Sequence, residues 1–205
     1  MRRLVALLLA LAVCPSLVAA APKDRERWDS RYGGEGYLFG TDPIPFLAQH
    51  VHLLPKGKVL DLAMGEGRNG VYLAAQGFQV VGLDISEKGL AKARKLAEER
   101  HVSIETRVAD LEEVQLERNV YDVVLCTYYV QRDLFPRIKD ALKSGGVVVI
   151  EDYTVEYLKY NPSFPKPYVL QTNELLEHFK DFKILRYQAY DDGKTAYASL
   201  IAQKP

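Results

Sequence analysis

A chain of 205 residues, nearly half of them hydrophobic, is long enough for one domain with a proper core and too short for a separate substrate-binding domain beside it. Its 27 basic and 27 acidic side chains cancel to a formal net charge of zero, which argues against the electrostatic footprint of a nucleic-acid-binding protein. Short basic clusters such as Lys92, Arg94 and Lys95 fall at helical spacing and read as a solvated face.

At the N-terminus, Arg2 and Arg3, the apolar run Leu4 to Val13 and the small residues Val18-Ala19-Ala20 stand in the order of an export signal. Removal of residues 1–20 is therefore expected, with export to a periplasm or the medium and no stable membrane insertion afterwards. Pro15 and Ser16 interrupt an apolar run barely long enough to span, which disfavours the alternatives of a membrane tether or cytoplasmic retention. Without Cys14 in this segment, Cys126 stands alone, so cysteine usage does not report on the redox compartment. Residues 21–57 form a leader. Its stretch 22–45 shows no clear periodicity but carries Trp28, Tyr32, Tyr37 and Phe39 among glycines. Disordered tails are poor in aromatics, so a lid folding over a pocket is expected.

From residue 58 to residue 205 the chain alternates strand and helix. Val59 to Leu62 is a short buried strand, and Asn69 to Ala75 a helix. Phe78 to Leu83 is the next strand and ends at Asp84. Ser86 caps a helix whose Leu90, Ala93, Leu96 and Ala97 share a face. Strands follow over Val102 to Val108 and Tyr121 to Cys126. Leu134, Ile138, Ala141 and Leu142 mark a helix that Gly145-Gly146 is expected to end. Val147 to Ile150 lacks polar alternation, as strands buried on both faces of a parallel sheet do. After a proline-broken loop, Thr172 to Phe179 reads as a helix. Ile184 to Tyr190 and Ala196 to Ala202 flank Asp191-Asp192-Gly193 as a hairpin. The expected fold is a Rossmann-like, doubly wound α/β domain, with seven mostly parallel strands closed by an antiparallel hairpin.

The chemistry gathers between the first strand and helix. Gly65-Glu66-Gly67-Arg68-Asn69-Gly70 fits G-x-G-x-x-G, and Asp84 ends the second strand about twenty residues on. Glycines admit a ligand close to the backbone and the acid accepts from ribose hydroxyls. This much serves a nicotinamide dinucleotide as well as S-adenosylmethionine. Asp61, just ahead of the glycines, tilts the choice, because an acid there welcomes a cationic ligand and repels a diphosphate. Asp110, after the third strand, lies where an adenine amine needs an acceptor. The Gly-Gly turn and closing hairpin are expected to leave no separate domain for a hydride acceptor, and the only Tyr-x-x-x-Lys, Tyr190 to Lys194, falls on a turn.

Residues 59–97 resemble the cofactor region of class I methyltransferases, and within them the tellurite-resistance and thiopurine-methyltransferase-like branch. The similarity extends to Trp28-Asp29-Ser30-Arg31-Tyr32, to Thr127 through Leu134 and to Glu151-Asp152-Tyr153-Thr154. The resemblance implies an S-adenosylmethionine-dependent methyltransferase domain over 58–205. It implies that Asp61, Gly65 and Gly67 surround the methionine end of the cofactor and that Asp84 binds the ribose. By the same resemblance Ile85 packs on the adenine, Asp110 and Leu111 meet its edge, and Thr127 sits near the sulfonium. Ala63 and Met64 depart from the Gly and Cys usual in the family, and a methyl at Ala63 would narrow the site or shift the backbone.

A small-molecule acceptor is expected, a thiol or metalloid among the candidates, and no metal is called for. The alternatives are a nicotinamide-dependent oxidoreductase and a non-catalytic nucleoside-binding protein. Trp28 and Tyr32 in the leader, with Tyr128, Tyr129 and Tyr153 after strand ends, are candidates to wall the acceptor, although core packing explains some of them equally well. Asp133 is the candidate base and Arg132 a group to steer an anionic acceptor; helix-terminal charge and surface pairing account for both just as well. Cys126 reads as a small buried hydrophobe, and His50, His52, His101 and His178 as surface or capping residues.

Overall fold

The computed structural model describes residues 20–205, so Cys14 and all but the last residue of the expected export signal lie outside the described residues. Six α-helices lie among the described residues: α1 (Ala20–Tyr32), α2 (Pro45–His50), α3 (Arg68–Ala75), α4 (Glu87–Glu99), α5 (Leu134–Ala141) and α6 (Glu174–His178). Seven strands accompany them: β1 (Lys58–Leu62), β2 (Gln79–Asp84), β3 (Glu105–Val108), β4 (Tyr121–Thr127), β5 (Leu142–Tyr153), β6 (Lys183–Asp191) and β7 (Ala196–Gln203).

The strands form one sheet in the order β3-β2-β1-β4-β5-β7-β6. The first five are parallel, and β7 runs antiparallel to both β5 and β6. This is the doubly wound α/β sheet with its terminal hairpin that the sequence pattern predicts. Because β1, β4 and the second half of β5 lie at its centre, their side chains are buried on both faces. One apolar layer joins Leu60, Leu62, Val124 and Ile150 to Leu134 and Ile138 of α5 and to Phe179 beyond α6. The other joins Val59, Val123 and Val149 to Leu47 of α2, Leu73 of α3 and Leu90 of α4. The sheet thus brings the C-terminal ends of β1, β2, β4 and β5 to one edge, where open α/β sheets place their ligands.

Four local expectations are corrected. The leader is not aperiodic, since Ala20–Tyr32 is helical and docks on α4. Of its aromatics Tyr32 is buried, too few positions to leave a pattern in the sequence. The third strand shrinks to Glu105–Val108, because the Val102 amide donates to the Ala97 carbonyl and closes α4 first. Gly145-Gly146 does not end α5, which stops at Ala141; both glycines lie inside β5. There the pairing with β4 jumps from Tyr121↔Leu142 to Val123↔Val147, and Gly145 takes φ 76° in the bulge that absorbs the extra residues. The last helix begins only at Glu174, because Asn173 sits at φ 62°.

Two helix junctions explain why the loop after β1 holds its shape. The Ser86 hydroxyl accepts from the Gly89 amide at 3.1 Å, capping α4 as expected. Gly67 begins α3 at φ 84°, and a methyl there would stand 2.6 Å from the Ala93 Cβ on α4. We expect Gly67→Ala to cost about 2 kcal/mol or more through overpacking and left-handed strain, lowering the melting temperature by roughly 4 °C or more. An unchanged melting temperature would contradict this α3–α4 contact.

Candidate functional site

The loop from Ala63 to Gly67 leaves β1 and turns three times through the left-handed region, at Ala63 (φ 56°), Gly65 (φ 56°) and Gly67 (φ 84°). Its register is held from behind. The Met64 amide donates to the Leu83 carbonyl at 3.0 Å and the Gly65 amide to the Asp84 carboxylate at 2.7 Å. The other Asp84 oxygen accepts from the Ser86 amide at 2.8 Å, so this acid ties the loop to the start of α4. Met64, expected at the cofactor, turns its side chain away from the loop and into the core layer. It lies over Gly70 and Gly82, where any Cβ would overlap it. The long thioether explains why a glycine is required in mid-β2, and it packs the site from beneath without lining it.

Asp61, the last residue but one of β1, is buried, with the Gly70 amide close enough to favour its ionised form. Burial, with the charge of Asp84 added, pushes its pKa up to about 8. Asp84 is raised for the same first reason, opposed by the amides of Ser86 and Gly65. Neither acid forms an ion pair among the described residues. Two adjacent buried carboxyls without a protein cation are a standing electrostatic cost, relieved by a positively charged ligand.

Around this pair the residues singled out from sequence divide. Ile85 is half-buried just beyond Asp84, and Asp110 caps its own turn by accepting from the Glu112 amide at 2.9 Å. Leu111 is buried in the core layer below the strand ends. The Thr127 hydroxyl accepts from the Asn69 side-chain amide at 3.0 Å. Tyr128 and Tyr129 part company. The Tyr129 hydroxyl donates to the Gln131 side-chain oxygen at 2.8 Å. Tyr128, at φ 55°, turns its phenol to the Glu151 carboxylate at 2.9 Å, and its ring meets Tyr153 at 5.1 Å. Tyr153 stacks in turn on Tyr157 at 4.1 Å.

Trp28 and Tyr32 do not join that aromatic group. Tyr32 is wedged between the glycines of the loop and α4, such that a methyl at Gly65 would lie 2.7 Å from its hydroxyl and one at Gly89 2.9 Å from its ring. Trp28 stacks on Tyr32 at 5.3 Å, and Asp29 accepts from the Ser86 hydroxyl at 2.5 Å. Through Trp28, Asp29 and Tyr32 the leader therefore packs on the glycine loop and the start of α4, and not on Tyr153.

Arg132 is corrected most plainly. Its guanidinium grips Glu174 through two bonds (2.6 and 2.9 Å) and the carbonyls of Pro167 and Val169, pinning the proline loop to α6. A group so engaged does not steer a ligand. Asp133 is exposed at the start of α5 and makes no cap hydrogen bond. His50 packs on Phe46, and His178 sits beside Glu174 and Phe135, all away from the strand ends.

Several residues quoted within the sequence motifs were given no role of their own there. Glu66 accepts from the amides of Leu38 (2.7 Å) and Phe39 (3.4 Å) and pairs with Lys92 at 2.9 Å, stapling the leader to the loop. Asn69 accepts from the Ile44 amide at 2.9 Å while it holds Thr127. Both occupy variable positions of the glycine motif, where a motif match carries no information. Glu151 is buried between Tyr128 and Ser199, which donates at 2.7 Å. Burial raises its pKa against those two hydrogen bonds. Asp152, also buried, is raised further, by burial first and by Glu151. The uninterrupted polar pair at the end of an apolar strand was the available signal.

Residues 59–146 match a family model described as a methyltransferase domain. The chain is 29% identical over 136 residues to the Probable S-adenosyl-L-methionine-dependent methyltransferase TehB of Haemophilus influenzae, a match covering 63% of this chain and 47% of the relative. It is 29% identical to a ubiquinone biosynthesis O-methyltransferase of Rickettsia felis, covering 62% of this chain and 57% of the relative. The chain thus spans about half the length of the curated relatives it matches. In fold it superposes on the crystal structure of TehB from H. influenzae with a TM-score of 0.68 at 22% identity, over 88% of this chain and 67% of that one. On the Synechocystis magnesium protoporphyrin IX methyltransferase with bound SAH the TM-score is 0.64 at 20% identity, over 90% and 99% of the two chains.

Two stability measurements check this geometry. Ala63 holds a backbone conformation that glycine adopts freely. We therefore expect Ala63→Gly to be neutral or stabilising by up to about 1 kcal/mol in urea unfolding, and Ala63→Val to lose about 2 kcal/mol. A clear loss in Ala63→Gly would contradict the strained turn. An acid whose pKa is higher in the folded state than in the unfolded chain keeps its proton more firmly when folded, so stability falls as pH rises from about 4 to about 8. Asp61→Asn is expected to flatten that fall, being more stable than the parent at pH 8 and close to it at pH 4. Parallel curves for the two proteins would show that Asp61 is not the strained group.

Proposed function

We propose that this chain, which belongs to the class I S-adenosylmethionine-dependent methyltransferases in their tellurite-resistance-like branch, binds that cofactor at the loop after β1 and transfers its methyl group to a small-molecule acceptor. The observation that supports this best is the buried Asp61–Asp84 pair, without a protein counter-ion, behind a loop of left-handed residues. A diphosphate would add negative charge to that pair. A sulfonium amino acid brings positive charge to it. The donor set therefore fits the cofactor: Asp61 offers a carboxylate to its ammonium, Asp84 retains lone pairs for ribose hydroxyls, and Asp110 and Tyr129 stand on the adenine side.

When bound, S-adenosylmethionine supplies an activated methyl group with a neutral thioether as leaving group, so the difficult chemistry belongs to it. The protein's share is position and dryness, and positioning alone is worth roughly 7–11 kcal/mol in favourable cases. Asn69 fixes Thr127 at the end of β4, and Tyr32, Trp28 and Glu66 seat the leader on the loop. For an acceptor that arrives protonated, Tyr128 and Glu151 form a proton path. The phenol oxygen takes the acceptor's proton while its own passes to the carboxylate 2.9 Å away. A thiolate or oxyanion needs no such step.

Calorimetry tests this. S-adenosylmethionine is expected to bind more tightly than NAD, with affinity rising as pH approaches about 8 and protons released on binding, because the ligand claims the ionised form of Asp61. Asp61→Asn should weaken binding at least about thirtyfold. Preference for NAD, or affinity indifferent to Asp61, would overturn the proposal. We also propose export by the N-terminal signal: mass spectrometry of the native protein should find Ala21 at its N-terminus outside the cytoplasm, and an intact Met1 would refute it.

A further inference from the structure

Beside the acid pair lies a surface of opposite character. Arg68, the first residue of α3, sends its guanidinium between two exposed rings, 6.0 Å from the centre of Phe39 and 5.6 Å from that of Tyr128. Its one hydrogen bond runs from Nη1 to the Phe39 carbonyl at 3.2 Å, and it pairs with no carboxylate among the described residues. Arg94, Arg107, Arg118 and Arg132 each hold an acid. Leu38 (45% exposed), Phe39 (48%) and Tyr128 (36%) are three of six exposed large apolar side chains among the described residues, and all three belong to segments that meet at Arg68. An arginine with most of its fork unused, set in an apolar rim, has the chemistry of a receptor for a molecule with a flat apolar body and one negative group.

This rim is joined to the site by short links. Asn69, next to Arg68, holds Thr127, and Tyr128 follows Thr127 directly, its hydroxyl proton donated to Glu151 and its ring beside the Arg68 guanidinium. Glu66, one residue beyond the glycine turn, positions Leu38 and Phe39 through their amides. A cationic guest here would meet the guanidinium head on. A neutral one would leave its fork unsatisfied.

We infer that Arg68, Phe39, Leu38 and Tyr128 form the acceptor's docking mouth, and that the acceptor is a small amphipathic anion, a carboxylate or similar oxyanion on an apolar, planar body. The inference rests on the methyltransferase proposal only in calling the guest an acceptor; the anion site itself stands on the surface geometry.

The probe is 2-naphthoate, with neutral 2-naphthamide and cationic 2-naphthylmethylammonium as controls, titrated by calorimetry into the full chain with and without saturating S-adenosylhomocysteine. Naphthoate is expected to bind about tenfold or more tightly than either control. Arg68→Gln should erase the preference for the anion, and Phe39→Ala should weaken naphthoate and naphthamide alike. Circular dichroism of each variant establishes that it is folded. Arg68→Lys, which keeps charge but loses the fork, should retain part of the preference. Equal affinity for the three probes, no binding of naphthoate, or a preference that survives Arg68→Gln would overturn the inference. So would Arg68-dependent binding to phosphatidylglycerol vesicles without naphthoate binding, which would assign the same chemistry to a membrane surface. Failure of S-adenosylhomocysteine to bind, with naphthoate discrimination intact, would instead count against the methyltransferase proposal alone.

Discussion

Two carboxyl groups without a countercharge, Asp61 and Asp84, sit at the ends of adjacent buried strands, and the rest of the site is arranged around that expense. Parallel β1 and β2 pair Asp61 with Gly82 and Leu62 with Leu83, which fixes how close the two acids come. Amide donors from Gly65 and Ser86 at Asp84, and from Gly70 at Asp61, relieve part of the cost of ionising the two groups. A fold optimised only for stability would place an amide or an apolar side chain at Asp61. Retaining an acid whose proton it holds up to about pH 8 makes sense when a cation completes the structure.

Electrostatic zoning follows from the same edge. Acids lie inside, at Asp61, Asp84, Glu151 and Asp152, all buried at strand ends. The cation, Arg68, lies outside among exposed rings. Its field reaches Asp61, Glu151 and Tyr128, easing the charge on the acids and raising none of their hydrogen-bonding demands. An inner zone suited to positive charge and an outer rim suited to negative charge give two reactants of opposite sign distinct addresses on one surface.

Much of this was legible in the residues. The central strands announce themselves by unbroken apolar runs, Ser86 by its capping position, the closing hairpin by Asp191-Asp192-Gly193, and the turn after β1 by its glycines. What escaped has physical causes. Helix α1 buries few side chains, so its period is faint. Gly145-Gly146 has the composition of a helix stop yet serves a bulge, a difference decided by pairing with β4 that no local pattern carries. Met64 appeared as a departure at the cofactor because sequence order does not say which way a side chain turns from a left-handed loop. Arg132 and Arg68 look alike on paper. Only the three-dimensional structure shows one bound to Glu174 and the other unclaimed.

The ionisation of Asp61 measures the central claim most directly. With the aspartate carboxyl carbons labelled and Asp61 assigned through Asp61→Asn, NMR should find this group protonated at neutral pH in the free protein, titrating near 8, and should see it fall into the ordinary carboxylate range when S-adenosylmethionine is added. A carboxyl already ionised at pH 6 in the free protein, or one whose titration ignores the ligand, would contradict the account.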